Sequence, residues 1–123
     1  MIRLAIPLLH VSDPDTAQSF YCDCLGFTKT SDYRPFGDNG PCYFGLSRDG
    51  IRFHVSSFPE DGKSGNAIVL VVDNIDDLYK EFSQKKIKID LEPTDQSWGN
   101  REMYITDADN NCIRFTQWNQ QEE

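Results

Sequence analysis

The tripeptide Ile51-Arg52-Phe53 returns as Ile113-Arg114-Phe115, an interval of 113 − 51 = 62 positions. A second landmark repeats at almost the same interval. Asp13 and Asn74, each placed to cap a helix after an apolar strand, stand 74 − 13 = 61 positions apart. One tripeptide could recur by chance; two unrelated landmarks at one interval mark a duplicated unit. In a chain of 123 residues, one domain's worth, this leaves room for two copies and little else.

The local pattern fills in the unit. Leu4 to Ser12 is rich in Ile, Leu and Val and predicts a strand. Ser12 or Asp13 then caps a helix that carries Pro14 in its first turn and stops at Gly26. Phe27 to Arg34 predicts a strand, Pro35 to Pro41 a turn-rich loop, and Cys42–Ser47 with Ile51–Ser56 a hairpin turning at Asp49-Gly50. Phe58 to Gly65 reads as a linker. After it come a strand at Ala67–Val72, a helix with its apolar stripe at Ile75, Leu78, Tyr79 and Phe82, a strand at Ile87–Leu91 and a loop at Pro93–Asn100. A second hairpin, Glu102–Thr106 with Cys112–Gln117, turns through Asp109-Asn110-Asn111. The expected fold is α+β: two tandem βαβββ units, about 1–58 and 66–118, forming a curved mixed sheet with a concave ligand groove in a single domain.

Alternation along the strands assigns the side chains. Pro7, Leu9, Val11, Ile51, Phe53, Val55, Ile113 and Phe115 are expected against the helices. Ile6, Leu8, His10, Arg52, His54, Ser56, Arg114 and Thr116 are expected on the opposite, concave side.

Composition closes off several functions. A formal net charge of −8 is wrong for nucleic acid, whose phosphates demand clustered Lys and Arg. No run approaches the roughly 20 apolar residues of a membrane span. The opening segment is broken by Pro7 and lacks the small-residue cleavage site of a signal peptide, so a cytoplasmic protein is expected. Cys22, Cys24, Cys42 and Cys112 contain no C-x-x-C pair and are read as reduced, ordinary residues. There is no Gly-x-Ser-x-Gly elbow, P-loop or Gly-x-Gly-x-x-Gly.

The candidate binding residues each carry two readings. His10 and His54, the only histidines, either contact a ligand at the cavity wall or are plain polar lining. Arg52 and Arg114 either meet an anionic ligand or form cross-cavity ion pairs, with Glu102 for example. Trp98, in a polar loop, either stacks on a ligand or partner subunit or packs in the core. Phe36, between Pro35 and Gly37, either closes over the groove or anchors its loop. Arg101, just after that Trp98 loop, completes the candidate ligand-binding set.

Leu8-Leu9-His10-Val11-Ser12-Asp13, Phe20-Tyr21, Leu25-Gly26-Phe27, Trp98-Gly99, Arg101-Glu102-Met103-Tyr104 and Asp107-Ala108-Asp109-Asn110-Asn111-Cys112-Ile113 stand in an order that resembles the vicinal oxygen chelate superfamily. That group contains glyoxalase I, extradiol dioxygenases and bleomycin resistance proteins, and the resemblance covers nearly the whole chain. It implies the paired βαβββ fold. Metal-using members carry ligands, usually His or Gln and then Glu, on the first and last strand of each unit. Carried over, those positions are Ile6, Arg52, Ala67 and Arg114. Two are apolar and two are cations without an acceptor, so no metal or other cofactor is expected. The resemblance therefore points to the bleomycin-resistance branch: sequestration of a small molecule by an intertwined homodimer. The alternative is a glyoxalase-like lyase, isomerase or other enzyme with a non-standard site, using His10 or His54 as base.

Overall fold

The computed structural model describes residues 1–119. Its contacts divide into two compact units, Met1–Asn66 and Ala67 onward. Each holds one four-stranded mixed sheet and one helical segment, which is the α+β arrangement of two βαβββ units.

In the first unit, β1 (Leu8–His10) lies parallel to β4 (Ile51–Ser56). β3 (Tyr43–Arg48) and β2 (Thr28–Tyr33) follow antiparallel, in the spatial order β1-β4-β3-β2. β1 is shorter than the apolar run suggests. Pro7 accepts from the His54 N–H and Val11 donates to Ser56, so pairing runs slightly past both ends. Met1, Ile2 and Leu4 are exposed. Asp49 and Gly50 both have positive φ, 53° and 78°, which gives the β3–β4 hairpin the tight turn whose twist suits its strands.

Asp13 caps α1 (Pro14–Gln18): one carboxylate oxygen accepts from the Asp15 N–H at 3.1 Å and the other from the Thr16 hydroxyl at 2.7 Å. After five residues the helix widens into a π-helical stretch, Ser19–Cys24, and ends where Gly26 takes φ 77°. This segment buries Ala17 and Tyr21. The Tyr21 and Phe27 rings both meet Phe53 edge-on, with centroids 5.3 and 5.0 Å away. Leu9, Val11, Phe53 and Val55 are buried as alternation predicts. Ile51, directly after the hairpin turn, and Pro7, just ahead of β1, are also expected there but are exposed.

The second unit repeats the plan, with β5 (Ala67–Val71), β8 (Cys112–Gln117), β7 (Arg101–Thr106) and β6 (Leu91–Asp95) side by side. Asn74 caps α2 (Ile75–Ser83) by accepting from the Asp77 N–H at 3.1 Å. α2 lies against β6, β7 and β8 and buries Ile75 and Phe82, the latter against Phe115 with ring centroids 5.4 Å apart. The predicted strand at Ile87–Leu91 is displaced: β6 begins at Leu91 and runs through Pro93, which the sequence places in a loop. β6 is the edge strand and its register shifts between Leu91 and Thr94, an irregularity that accommodates a residue without an N–H. Asp107 closes the β7–β8 turn, its buried carboxylate accepting from the backbone N–H groups of Asp109 and Asn111 and from the Asn111 side chain.

Candidate functional site

Each sheet has one face under its helix and one face without it, and the polar alternate residues collect on the latter. On the open face of the first sheet, His54 sits in β4 between its Cα partners Leu8 on β1 and Gly45 on β3. The Tyr43 hydroxyl lies 2.7 Å from His54 Nδ1, and the two rings meet edge-on. Either ring tautomer satisfies this bond, accepting the phenol proton or donating to the phenol oxygen. Burial, and after it the charge of Asp61, raises the Tyr43 pKa, so the phenol stays protonated near neutral pH. Gly45 leaves room for the β2 hydroxyls. A Cβ there would come 2.6 Å from Thr30 Oγ1 and 2.9 Å from Ser31 Oγ, and the Gly45 N–H donates to Ser31 Oγ at 3.1 Å.

The Phe58–Gly65 segment folds back over one end of this face. Ser64 and His10 are joined by Ser64 Oγ to His10 Nδ1, 3.2 Å, and by the Ser64 hydroxyl donating to the His10 carbonyl, 3.1 Å. Ser56, expected as open lining, is fully buried and donates to Asp61 at 2.7 Å. Phe58 stacks on Tyr33. Arg52 is exposed on the same strand, with no carboxylate beside it among the described residues. Phe36 is 75% exposed at the tip of its turn, so it anchors nothing.

The second sheet has a different chemistry on its open face. Trp98, 61% exposed, donates from its indole Nε1 to Glu102 Oε2 at 3.0 Å. The Tyr104 hydroxyl donates to the other oxygen of Glu102 at 2.5 Å, and Glu102 itself is buried. That bond, together with burial, raises the Tyr104 pKa. Arg114 lies over the Tyr104 ring, its guanidinium carbon 4.6 Å from the centroid. The expected ion pair between Arg114 and Glu102 does not form: the carboxylate oxygens accept from Trp98 and Tyr104, and Arg114 stacks on the Tyr104 ring instead. Glu102 as the anchor of Trp98 is the residue that sequence reasoning missed. Its signal was the i, i+2 spacing with Tyr104, which puts both on one face of one strand.

Arg101 points the other way. It pairs with Asp76 of α2 at 3.0 Å and with Asp95 of β6 at 3.2 Å, on the side of the sheet that the helix covers. The predicted site residues therefore separate: His10, Arg52 and His54 belong to the first sheet's open face, Trp98 and Arg114 to the second's, and Arg101 and Phe36 to neither.

The positions carried over from the superfamily's metal-using members hold Ile6, Arg52, Ala67 and Arg114. None offers a ligand atom, and an arginine at each glutamate position repels a cation. Among the described residues no three His, Cys, Asp or Glu gather where one ion could reach them. The residues present do not fit a metal of the superfamily's usual kind.

An α+β chain with two βαβββ units, each holding polar and aromatic side chains on an open sheet face, has the architecture of a small-molecule binding module. A family model described as glyoxalase superfamily protein matches residues 1–122, and the chain belongs to that superfamily. It is 29% identical to the bleomycin resistance protein of Geobacillus stearothermophilus over an alignment of 135 positions, covering 92% of this chain and 95% of that one. Among solved structures it resembles a bleomycin-binding protein from bleomycin-producing Streptomyces verticillus, complexed with copper(II)-bleomycin. The TM-score is 0.71 at 28% identity, over 95% of this chain and 98% of that one. A second bleomycin-binding protein, complexed with bleomycin, superposes with a TM-score of 0.72 at 24% identity, over 94% and 98% of the two chains.

Proposed function

We propose that this protein binds a small, partly aromatic antibiotic on its open sheet faces and sequesters it unchanged, as a homodimer. The observation that carries this reading is Trp98: a large ring held outward, with its one polar atom fixed by a buried carboxylate. A ring pinned in this way presents a flat apolar surface whose ordering is already complete before a ligand arrives. The relatives support the reading, since those named above are a bleomycin resistance protein and proteins complexed with bleomycin. Sequestration needs affinity alone, which suits faces whose carried-over metal positions are filled by Ile6, Arg52, Ala67 and Arg114.

The test is a titration of chelator-treated protein with metal-free bleomycin. Trp98 fluorescence is followed in a Trp118→Phe background, the dimer is checked by sedimentation, and the drug is recovered for mass spectrometry. Saturable quenching by a dimer, with the drug recovered intact, is the expected result. A chemically altered drug would overturn the sequestration reading, and no binding would remove bleomycin as the ligand.

The enzyme reading rests on one observation, the 2.7 Å contact between Tyr43 and His54, which could pass a proton to or from a bound molecule. Turnover of any ligand that disappears in His54→Ala would establish it; changed affinity without turnover would assign His54 to binding.

A further inference from the structure

The arginines divide by the face they occupy. Arg34, Arg48 and Arg101, which serve helices or turns, each have a carboxylate beside them. Arg114, on the open face of the second sheet, has none among the described residues, and its Nε is buried without an acceptor. This is no shortage of carboxylates: the chain holds 20 Asp and Glu against 12 Lys and Arg. Glu102, a carboxylate on the same face, is engaged through both oxygens by Trp98 and Tyr104.

A second unmet polar atom stands two residues along the same strand. Thr116 is only 2% exposed, and its hydroxyl has no partner. Ile113 and Phe115 are buried in the core on the helix side, so alternation sends Arg114 and Thr116 together to the open face. A buried donor left unpaired forfeits its hydrogen bond to water and gains nothing in return, and native proteins tolerate this chiefly where something else completes the bond. Beside these two, on the parallel strand, their Cα partners Val69 and Val71 are 57% and 49% exposed and apolar.

We infer that the open face of the second sheet is a site for an aromatic oxyanion, an aromatic carboxylate in the first instance. Its acid group lies on Arg114 and Thr116, and its ring lies along Val69, Val71 and Trp98. The Tyr104 ring holds one face of the guanidinium and leaves its N–H edges to fork onto two oxygens, a geometry that Arg provides and Lys does not. The Thr116 hydroxyl adds a neutral donor to the same group. This inference rests on the binding reading for this face and narrows it: an antibiotic with an acidic aromatic portion fits where a purely cationic one leaves Arg114 unanswered. The competing occupant is a carboxylate from a second copy of this chain.

The test uses the full chain and three probes of one shape: 2-naphthoate, its methyl ester and 2-naphthylmethylammonium. Binding is read from the NMR signals of the Trp98 indole N–H and the Arg114 Nε–H. The expected result is that naphthoate binds at least about tenfold more tightly than the ester or the amine and moves both signals. Arg114→Met should abolish that preference, Arg114→Lys should restore only part of it, and Thr116→Val should lower naphthoate affinity severalfold. A dispersed spectrum shows that each variant is folded. Equal affinity for the three probes would overturn the inference, as would unchanged naphthoate binding in Arg114→Met. Failure of naphthoate to bind, combined with loss of the dimer in Arg114→Met, would give the site to a second copy and overturn it too. The bleomycin titration separates the two claims: naphthoate selectivity without bleomycin binding removes only bleomycin as ligand, and bleomycin binding without selectivity removes only the oxyanion site.

Discussion

Trp98 and Glu102 are joined across 3.0 Å, the indole N–H donating to a carboxylate that is almost entirely out of solvent while the indole ring itself is 61% exposed. The polar end of the ring is fixed and its apolar surface is free. Glu102→Gln keeps the shape but turns one accepting oxygen into an amide donor, so either Trp98 or Tyr104 loses its acceptor. The expected cost is about 1–3 kcal/mol in urea unfolding. In a Trp118→Phe background the anisotropy of Trp98 should fall as its ring is released; unchanged anisotropy would mean that the bond does not position it.

Gly45 should not tolerate alanine. The new Cβ would stand 2.6 Å from Thr30 Oγ1 and 2.9 Å from Ser31 Oγ, too close for either hydroxyl to remain where it is. Gly45→Ala should therefore destabilise the protein by about 1–3 kcal/mol. Thr30→Ala in the same chain should recover part of the loss. A double-mutant cycle with no coupling would show that the β2 hydroxyls are not the obstacle.

Acid should reveal Asp32. Its carboxyl is held down to about 2, first by the Lys29 ammonium at 2.6 Å and then by the Cys42 thiol and Arg34, against a desolvation effect that works the other way. A folded pKa below the unfolded one stabilises the protein above the unfolded value, about 3.9, and this stability is lost as pH falls through 2. The urea midpoint of the wild type should exceed that of Asp32→Asn at pH 5, and the gap should narrow steadily between pH 4 and pH 2. A gap independent of pH would remove the charge from the explanation.

Cys42 should resist alkylation. Its thiol is buried and pushed up to about 11, by desolvation first and then by the neighbouring Asp32 carboxylate. Only about one molecule in a thousand would carry the thiolate at pH 8, and the thiolate is the reactive form. Peptide mapping after iodoacetamide treatment should find Cys42 labelled far more slowly in the folded protein than in urea. Equal rates would mean that the site opens readily.

The duplication, both capping residues and both hairpins are legible in the sequence because each depends on residues close together in the chain. Asp49-Gly50 dictates a turn wherever it lies between two strands, and Asn74 caps whatever apolar stripe follows it. The errors occur where distant partners decide. Pro93 reads as a loop residue until β7 is known to lie on one side of it only, leaving an edge where a missing N–H is harmless. Likewise the β5 partner of Arg114 is Val69, a pairing no local pattern gives, since register belongs to two strands together. The site was half legible for the same reason: alternation put Arg114 and Thr116 on the open face. Glu102 looked like a counter-ion until Trp98 and Tyr104 were found on its oxygens.

β8 carries two vocabularies in one strand. Ile113 and Phe115 address the core, while Arg114 and Thr116 between them address the open face. Because neighbouring residues answer to different surroundings, substitution can rewrite the recognition surface one letter at a time while the stabilising letters stand unchanged. Two compact units double that freedom, since one face can drift towards a new chemistry while the other keeps the old. A superfamily assembled from such units can change what it recognises without first having to survive losing its fold.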